Sequence, residues 1–168
     1  MHIAIGSDHR GVHVKSKLIV ALENMKHTVD DCGTQGEESV DYPDFAREVC
    51  QRVAMHNAQR GILICGTGIG MAITANKFCG VRAASCYDEV MAEMCRRHND
   101  VNVLCLPGDL IGNRPVVDLV RVWLDTAFEG GRHERRLKKI AEIESQVSNS
   151  LHKNRPPDGS QSTDGSQS

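Results

Sequence analysis

Aromatic side chains are scarce in this chain. One Trp, two Tyr and three Phe make up 4% of the sequence, too few to build the stacking platforms on which single-stranded nucleic acids are held. Neither sign of charge dominates. Twenty Lys and Arg against 22 Asp and Glu leave a net charge of −2, which excludes broad attraction to a phosphate backbone or an anionic bilayer. No apolar run approaches the roughly 20 residues of a membrane-spanning helix. No CxxC pair occurs and the seven cysteines are odd in number, so neither a disulfide framework nor a zinc site is indicated. Nothing resembling a secretory leader precedes the first apolar stretch, Ile3-Ala-Ile5. Free thiols and a cytoplasmic setting are therefore expected, with no nucleic-acid and no membrane partner.

What the chain does contain is ordinary for one globular domain: 168 residues, 40% hydrophobic and 25% charged, enough for a substantial core. Short apolar runs alternate with segments of helical spacing. Strands are predicted over residues 2–6, 27–31, from Ile62 to Cys65, over 81–86 and over 101–106. Helices are predicted from Val12 to Met25, from Pro43 through Val53, from Met71 to Lys77, over 88–97 and over 115–126. That alternation specifies an α/β fold, a Rossmann-like α/β/α sandwich around a five-stranded parallel sheet. Its ligand crevice is expected at the carboxyl ends of the strands, where Asp8-His9, Cys65 to Gly70 and Tyr87-Asp88 fall. A terminal helix is predicted from Arg132 to Ser145. The folded domain is expected to span 1–147, and residues 148–168, in which Asp-Gly-Ser-Gln-Ser occurs twice, to form a disordered polar tail.

The most informative stretch is Cys65-Gly-Thr-Gly-Ile-Gly70, between the third strand and the helix after it. It matches neither common nucleotide pattern: Met71 stands where the dinucleotide fingerprint has Gly or Ala, and no Gly-Lys-Ser/Thr follows. What remains is a short cradle of backbone amides suited to a carboxylate, a phosphate or an enolate oxygen. The residues alone leave open whether Cys65 is a core cysteine or a reactive one. Similarly, Asp8-His9 reads as an acid orienting an imidazole or as a turn hydrogen bond. His98-Asn99, at a helix end, is equally open. Arg132 and Arg136 lie four apart on a helix and could clamp one phosphate, or could lie on a solvated face. Taken together, a cysteine beside an anion cradle, two histidines at crevice loops and paired arginines suit proton transfer next to the carbonyl of a small phosphorylated substrate.

The stretches Gly6-Ser-Asp-His9, Asp41-Tyr-Pro-Asp-Phe-Ala46, Cys65-Gly-Thr-Gly-Ile-Gly-Met71, Ala75-Asn-Lys77, Val81-Arg-Ala-Ala84, Arg97-His-Asn99 and Phe128-Glu-Gly-Gly-Arg-His133 together resemble ribose-5-phosphate isomerase type B, of the wider group that includes galactose-6-phosphate isomerase subunits. The resemblance covers residues 1 to about 143. It implies aldose–ketose isomerisation of ribose 5-phosphate and ribulose 5-phosphate in the non-oxidative pentose phosphate pathway, with no metal and no organic cofactor. It also implies roles: Cys65 as the base, Thr67 in proton movement between the oxygens, and His98 in ring opening. Gly66, Thr67, Gly68, Ile69 and Gly70 would form the anion hole. Asp8 would bind sugar oxygens, His9, Arg132 and Arg136 the phosphate, and Asn99 would be a further substrate contact. The site is expected between subunits of a homodimer or dimer of dimers, with the C-terminal helix extending to the partner.

Two departures stand out. Leu106-Pro-Gly-Asp109 replaces a usual Leu-Gly-x-Arg, putting an acid where a cation is expected, and Arg10 replaces a small residue after the Asp-His pair, which restores some positive charge. The Asp109 departure leaves room for a hexose 6-phosphate of the allose or galactose type as the substrate. A non-catalytic subunit is the reading from a different class, and the presence of Cys65, Thr67 and His98 speaks against it.

Overall fold

Side chains on successive strand residues point to opposite faces, and here that alternation divides the core in two. Ile3 and Ile5, Ile62 and Ile64, and Leu104 and Leu106 face one side, where Leu18, Leu22, Leu119, Val120 and Trp123 cover them. Ala4, Leu63, Cys65, Val103 and Cys105 face the other, beneath Ala46, Val49, Cys50, Val53, Met71 and Ala75. Strands that are apolar on both faces belong in a parallel sheet sandwiched by helices.

The computed structural model describes residues 1–110 and 115–153, with side chains through 150. The strands are β1 (His2–Ser7), β2 (Thr28–Asp31), β3 (Arg60–Cys65), β4 (Ala83–Ser85) and β5 (Val103–Pro107). The helices are α1 (Val12–Asn24), α2 (Tyr42–Ala54), α3 (Ile69–Ala75), α4 (Glu89–Asn99), α5 (Val116–Asp125) and α6 (Arg132–Lys153), with a 3₁₀ turn at His9–Gly11. All strand pairs are parallel, in the order β2-β1-β3-β5-β4. Helices α1, α4 and α5 cover one face and α2 and α3 the other, so the expected α/β/α sandwich with its five-stranded parallel sheet is what forms. No helix among the described residues is long and apolar enough to cross a membrane.

Several boundaries shift by one or two residues, and two of the differences have a visible cause. β4 is three residues long, not six: Val81 and Arg82 precede it in a connection closed by Asn76, whose side chain accepts from Ala83 N and donates to Ala83 O. The terminal helix continues past Ser145 to Lys153, through the first residues of the expected tail, because Ile140, Ile143 and Val147 extend an apolar stripe along it. The duplicated 158–168 segment lies outside the described residues.

The strand order reverses direction between β1 and β3, and in open α/β sheets such a switch point opens a crevice at the carboxyl ends of the strands. The loops after β1, β3 and β5 meet there.

Candidate active site

At the carboxyl end of β3, Cys65 is only 5% exposed, on the face covered by α2 and α3. Its Sγ accepts a hydrogen bond from Gly68 N at 3.2 Å, which gives the sulfur a donor when it carries charge. The turn that makes this possible needs glycine at 68. The backbone there has φ +73°, and a Cβ would press on the Leu106 carbonyl at 3.1–3.2 Å. Ser85 Oγ holds Gly68 O at 3.0 Å and Tyr87 Oη holds Thr67 O at 3.1 Å, fixing the turn from the β4 side.

Of the amides in the expected cradle, two are committed within the turn: Gly68 N to Cys65 and Ile69 N to Thr67 Oγ1 at 3.3 Å. Those of Gly66, Thr67 and Gly70 have no partner among the described residues. They are the donors available to an oxyanion. The Ile69 side chain is exposed. Thr67 Oγ1 acts as an acceptor towards Ile69, which leaves its O–H free to donate.

The loop after β1 supplies Asp8 and His9. Asp8 is buried and caps the 3₁₀ turn by accepting from Arg10 N at 2.9 Å. Burial pushes its carboxyl up from the ordinary carboxylate range, while the Arg10 amide and the neighbouring His9 oppose the shift. His9 Nδ1 accepts from Val40 N at 3.2 Å. A neutral His9 therefore carries its proton on Nε2, as a donor.

The two departures from the family pattern touch each other. Arg10 Nε lies 2.9 and 3.1 Å from the Asp109 oxygens and Nη2 lies 2.7 Å from Oδ2. The pair spans the loops after β1 and β5, over the end of β3 between them. A Cβ on Gly66 would lie 2.7 Å from Asp109 Oδ2, and one on Gly108 would lie 2.7 Å from Arg10 O. Glycines at these positions make room for the bridge. Gly108 N and Asp109 N in turn donate to Cys65 O and Gly66 O.

The remaining predicted residues are not at this end. In a parallel α/β unit each helix runs back against its strands, so helix C-termini lie at the amino end of the sheet. His98 and Asn99 finish α4 there, and Arg82, just before β4, donates from Nε to Asn99 O at 3.2 Å. The expectation that both histidines sit at crevice loops is thus corrected. Eleven residues of α4 put about 16 Å between its ends. His98 stacks on His133, with centroids 4.3 Å apart and planes 2° from parallel. This contact anchors the start of α6 and places Arg132 and Arg136 nearby. Both arginines are exposed, and neither has an acidic partner among the described residues.

Glu129 and His133 were not singled out from sequence. The Glu129 carboxylate lies 3.8 Å from His98 Nε2 and 3.6 Å from His133 Nε2, and it pairs with Arg97. The Arg97 hydrogen bond holds Glu129 below its usual range. Burial, with the nearby His98, Arg132 and Arg136 charges, lowers His133. The ligand atoms of His98, Glu129 and His133 lie within 4.8 Å of one another, the one trio of this kind among the described residues. Arg97 already occupies Glu129, and Arg132 Nε points at His133 Nε2 from 3.3 Å. The surroundings are those of an anion site more than a cation site. In sequence, the Glu-Gly-Gly-Arg-His run marks the segment but not the role of Glu129 in it.

One chain thus presents two separate groups of candidate residues, with Cys65, Thr67, the free amides, Asp8 and His9 in one and His98, Asn99, Arg132 and Arg136 in the other. Next to the second lies a groove of about 660 Å³ between α6 and the α3–β4 connection, with Leu137, Ile140, Ile143 and Val147 along one wall.

The chain matches the model of the Ribose/Galactose Isomerase family over residues 3–140. Among similar proteins is Escherichia coli ribose-5-phosphate isomerase B, 42% identical over 142 residues, covering 84% of this chain and 95% of that one. Among solved structures, ribose-5-phosphate isomerase B of Clostridium thermocellum superposes with a TM-score of 0.85 at 47% identity, covering 88% of this chain and 99% of that one. The Mycoplasma genitalium enzyme, with ribulose 5-phosphate bound, has a TM-score of 0.83 at 39% identity, with 86% and 97% covered.

Proposed function

The chain belongs to the Ribose/Galactose Isomerase family and is a sugar-phosphate isomerase, and from that premise we propose that it interconverts D-ribose 5-phosphate and D-ribulose 5-phosphate by thiol-mediated proton transfer. The observation that carries this reading is the strand-end thiol of Cys65, hydrogen-bonded to Gly68 N beside three amides with no partner among the described residues. His98 donates a proton to the ring oxygen as the C1 hydroxyl loses one, giving the open-chain aldehyde. The Cys65 thiolate removes the proton on C2, and charge develops on the C1 oxygen. The amides of Gly66, Thr67 and Gly70 stabilise that enediolate. Return of the carbon-bound proton at C1, with transfer of the O2 proton to O1 assisted by the Thr67 hydroxyl, yields the ketose. Asp8 and Asn99 bind sugar hydroxyls, and His9, Arg132 and Arg136 bind the phosphate. The reading calls on no metal and no organic cofactor. The seven free cysteines suit a reducing compartment.

In this reading, the halves of the site come from two copies of the chain. Cys65 ends β3 at the carboxyl end of the sheet, whereas His98 lies at the far end of α4, a helix about 16 Å long that runs back towards the amino end. A two-fold axis makes residue i meet j wherever j meets i, so two copies complete two sites. Exposed Ile69 and Ile73 flank the Cys65 half, and Ile140, Ile143 and Val147 flank the His98 half. Those apolar patches are the surfaces a second copy would cover.

Two inactive variants test this together. Cys65→Ala and His98→Asn homodimers should each be inactive on ribose 5-phosphate. Mixed and allowed to exchange subunits, they should recover about a quarter of wild-type activity, since half the dimers hold one intact site of two. Full activity in Cys65→Ala would refute the base, and no recovery on mixing would refute the shared site.

A further inference from the structure

The Arg10–Asp109 bridge has a feature that a simple clamp does not need. A guanidinium carries five N–H donors. Asp109 takes the side edge, made of Nε and one Nη2 hydrogen. The two Nη1 hydrogens and the second Nη2 hydrogen form a further edge, and no acceptor occupies it among the described residues. Held by three contacts to a carboxylate whose own backbone is tied to Gly66, this edge has a fixed position. The Arg10 side chain is 56% exposed, so the edge is open to a ligand. It follows His9 directly, on the same 3₁₀ turn, and the bridge lies over Gly66 of the cradle.

We infer that Arg10 is a phosphate ligand contributed by the same protomer as Cys65, and that Asp109 is its positioning residue. The inference rests on the sugar-phosphate reading above and names a further contact for that substrate. A planar guanidinium suits the task because its edges each bind an oxyanion bidentately, one to the carboxylate and one to the phosphate. Asp109 beside a phosphate would repel it if bare. With Arg10 bridging them, the carboxylate fixes the cation and its own charge is compensated. The phosphate is then gripped from both sides, by His9 and Arg10 of one protomer and by the arginines of the other.

Steady-state kinetics on ribose 5-phosphate, together with inhibition by inorganic phosphate, read this directly. Arg10→Ala should raise KM and the phosphate inhibition constant in parallel, by about ten- to a hundredfold, with kcat within about threefold. Arg10→Lys, which keeps the charge but cannot serve two edges at once, should fall between. The double variant Arg10→Ala/Asp109→Ala should bind phosphate better than Arg10→Ala alone, since removing the bare carboxylate relieves repulsion. Unchanged KM and unchanged phosphate inhibition in Arg10→Ala or Arg10→Lys would overturn the inference and reduce the bridge to a loop clamp. Calorimetric titration with inorganic phosphate separates this inference from the isomerase reading. Arg10-dependent phosphate binding without turnover in the wild type would sink the isomerase reading and support this one.

Discussion

The two ends of the sheet treat their polar groups in opposite ways. At the amino end, Arg82 and Arg96 both bind Asp100, at 2.8 and 2.7 Å, and Arg96 also donates to the Val101 and Thr126 carbonyls. Helix C-termini expose carbonyls there, and the buried Arg96 and half-buried Arg82 bind some of them. At the carboxyl end, loop amides are exposed instead, and three of them have no partner among the described residues. Saturation gives stability, and unsatisfied donors give a place for substrate. Within the amino end the contrast repeats on a smaller scale: Arg96 is 3% exposed and bound to three acceptors, while Arg132 and Arg136, at the surface, have no acidic partner among the described residues.

The cysteines sharpen the comparison. Cys50, on the buried face of α2, is pushed up to about 12 by desolvation, and Cys105, enclosed in the sheet, is also driven well upward. Cys65 shares their face of the sheet but stands at a strand end with an amide on its sulfur.

The largest effect should come from the carboxyl end. Cys65→Ala should lower kcat on ribose 5-phosphate by about a thousandfold while circular dichroism and the urea midpoint stay close to wild type; a loss of stability with activity intact would reverse the roles assigned to the two ends. Asp100→Ala should do the opposite. Removing the acid leaves Arg96 buried without its counter-charge and puts Ala at φ +45°, costing about 3 kcal/mol in urea unfolding. Phosphate affinity at the Arg10 edge should not respond to it.

A smaller effect concerns pH. His133 is held below its usual value of 6.5, so the unfolded chain binds its proton more readily than the folded one. Stability should therefore decline as pH falls through 6.5 towards the lowered folded value, and be unaffected by this group above 6.5. In His133→Asn, the thermal midpoint should fall less steeply across that window. An identical slope in the variant would remove His133 from the acid response.

Much of this arrangement is legible in sequence because it rests on local patterns. Alternating apolar runs locate the five strands, and the cysteine followed by spaced glycines marks the turn after β3. The position of His98 was also within reach. A helix end that precedes a strand lies at the amino end of a parallel sheet, and applying that rule separates it from Cys65. The Arg10–Asp109 bridge was not within reach. Its members are 99 residues apart in sequence, each looks like an isolated departure, and only the β1-β3-β5 neighbour order brings them together. Glu129 and His133 gain meaning only once α6 is packed against α4. The end of α6 is harder to read, because beyond Ser145 only Val147 and Leu151 carry the helical period among polar residues.

Placing the two half-sites at opposite ends of one sheet has a consequence for how the protein behaves in dilute solution. Under the proposed shared site, specific activity would be set by how many chains are paired. Below the dissociation constant of the pair, the rate per millilitre should fall with the square of dilution rather than in proportion to it. Substrate bridging both halves should hold the copies together, so turnover itself would protect the enzyme against dilution.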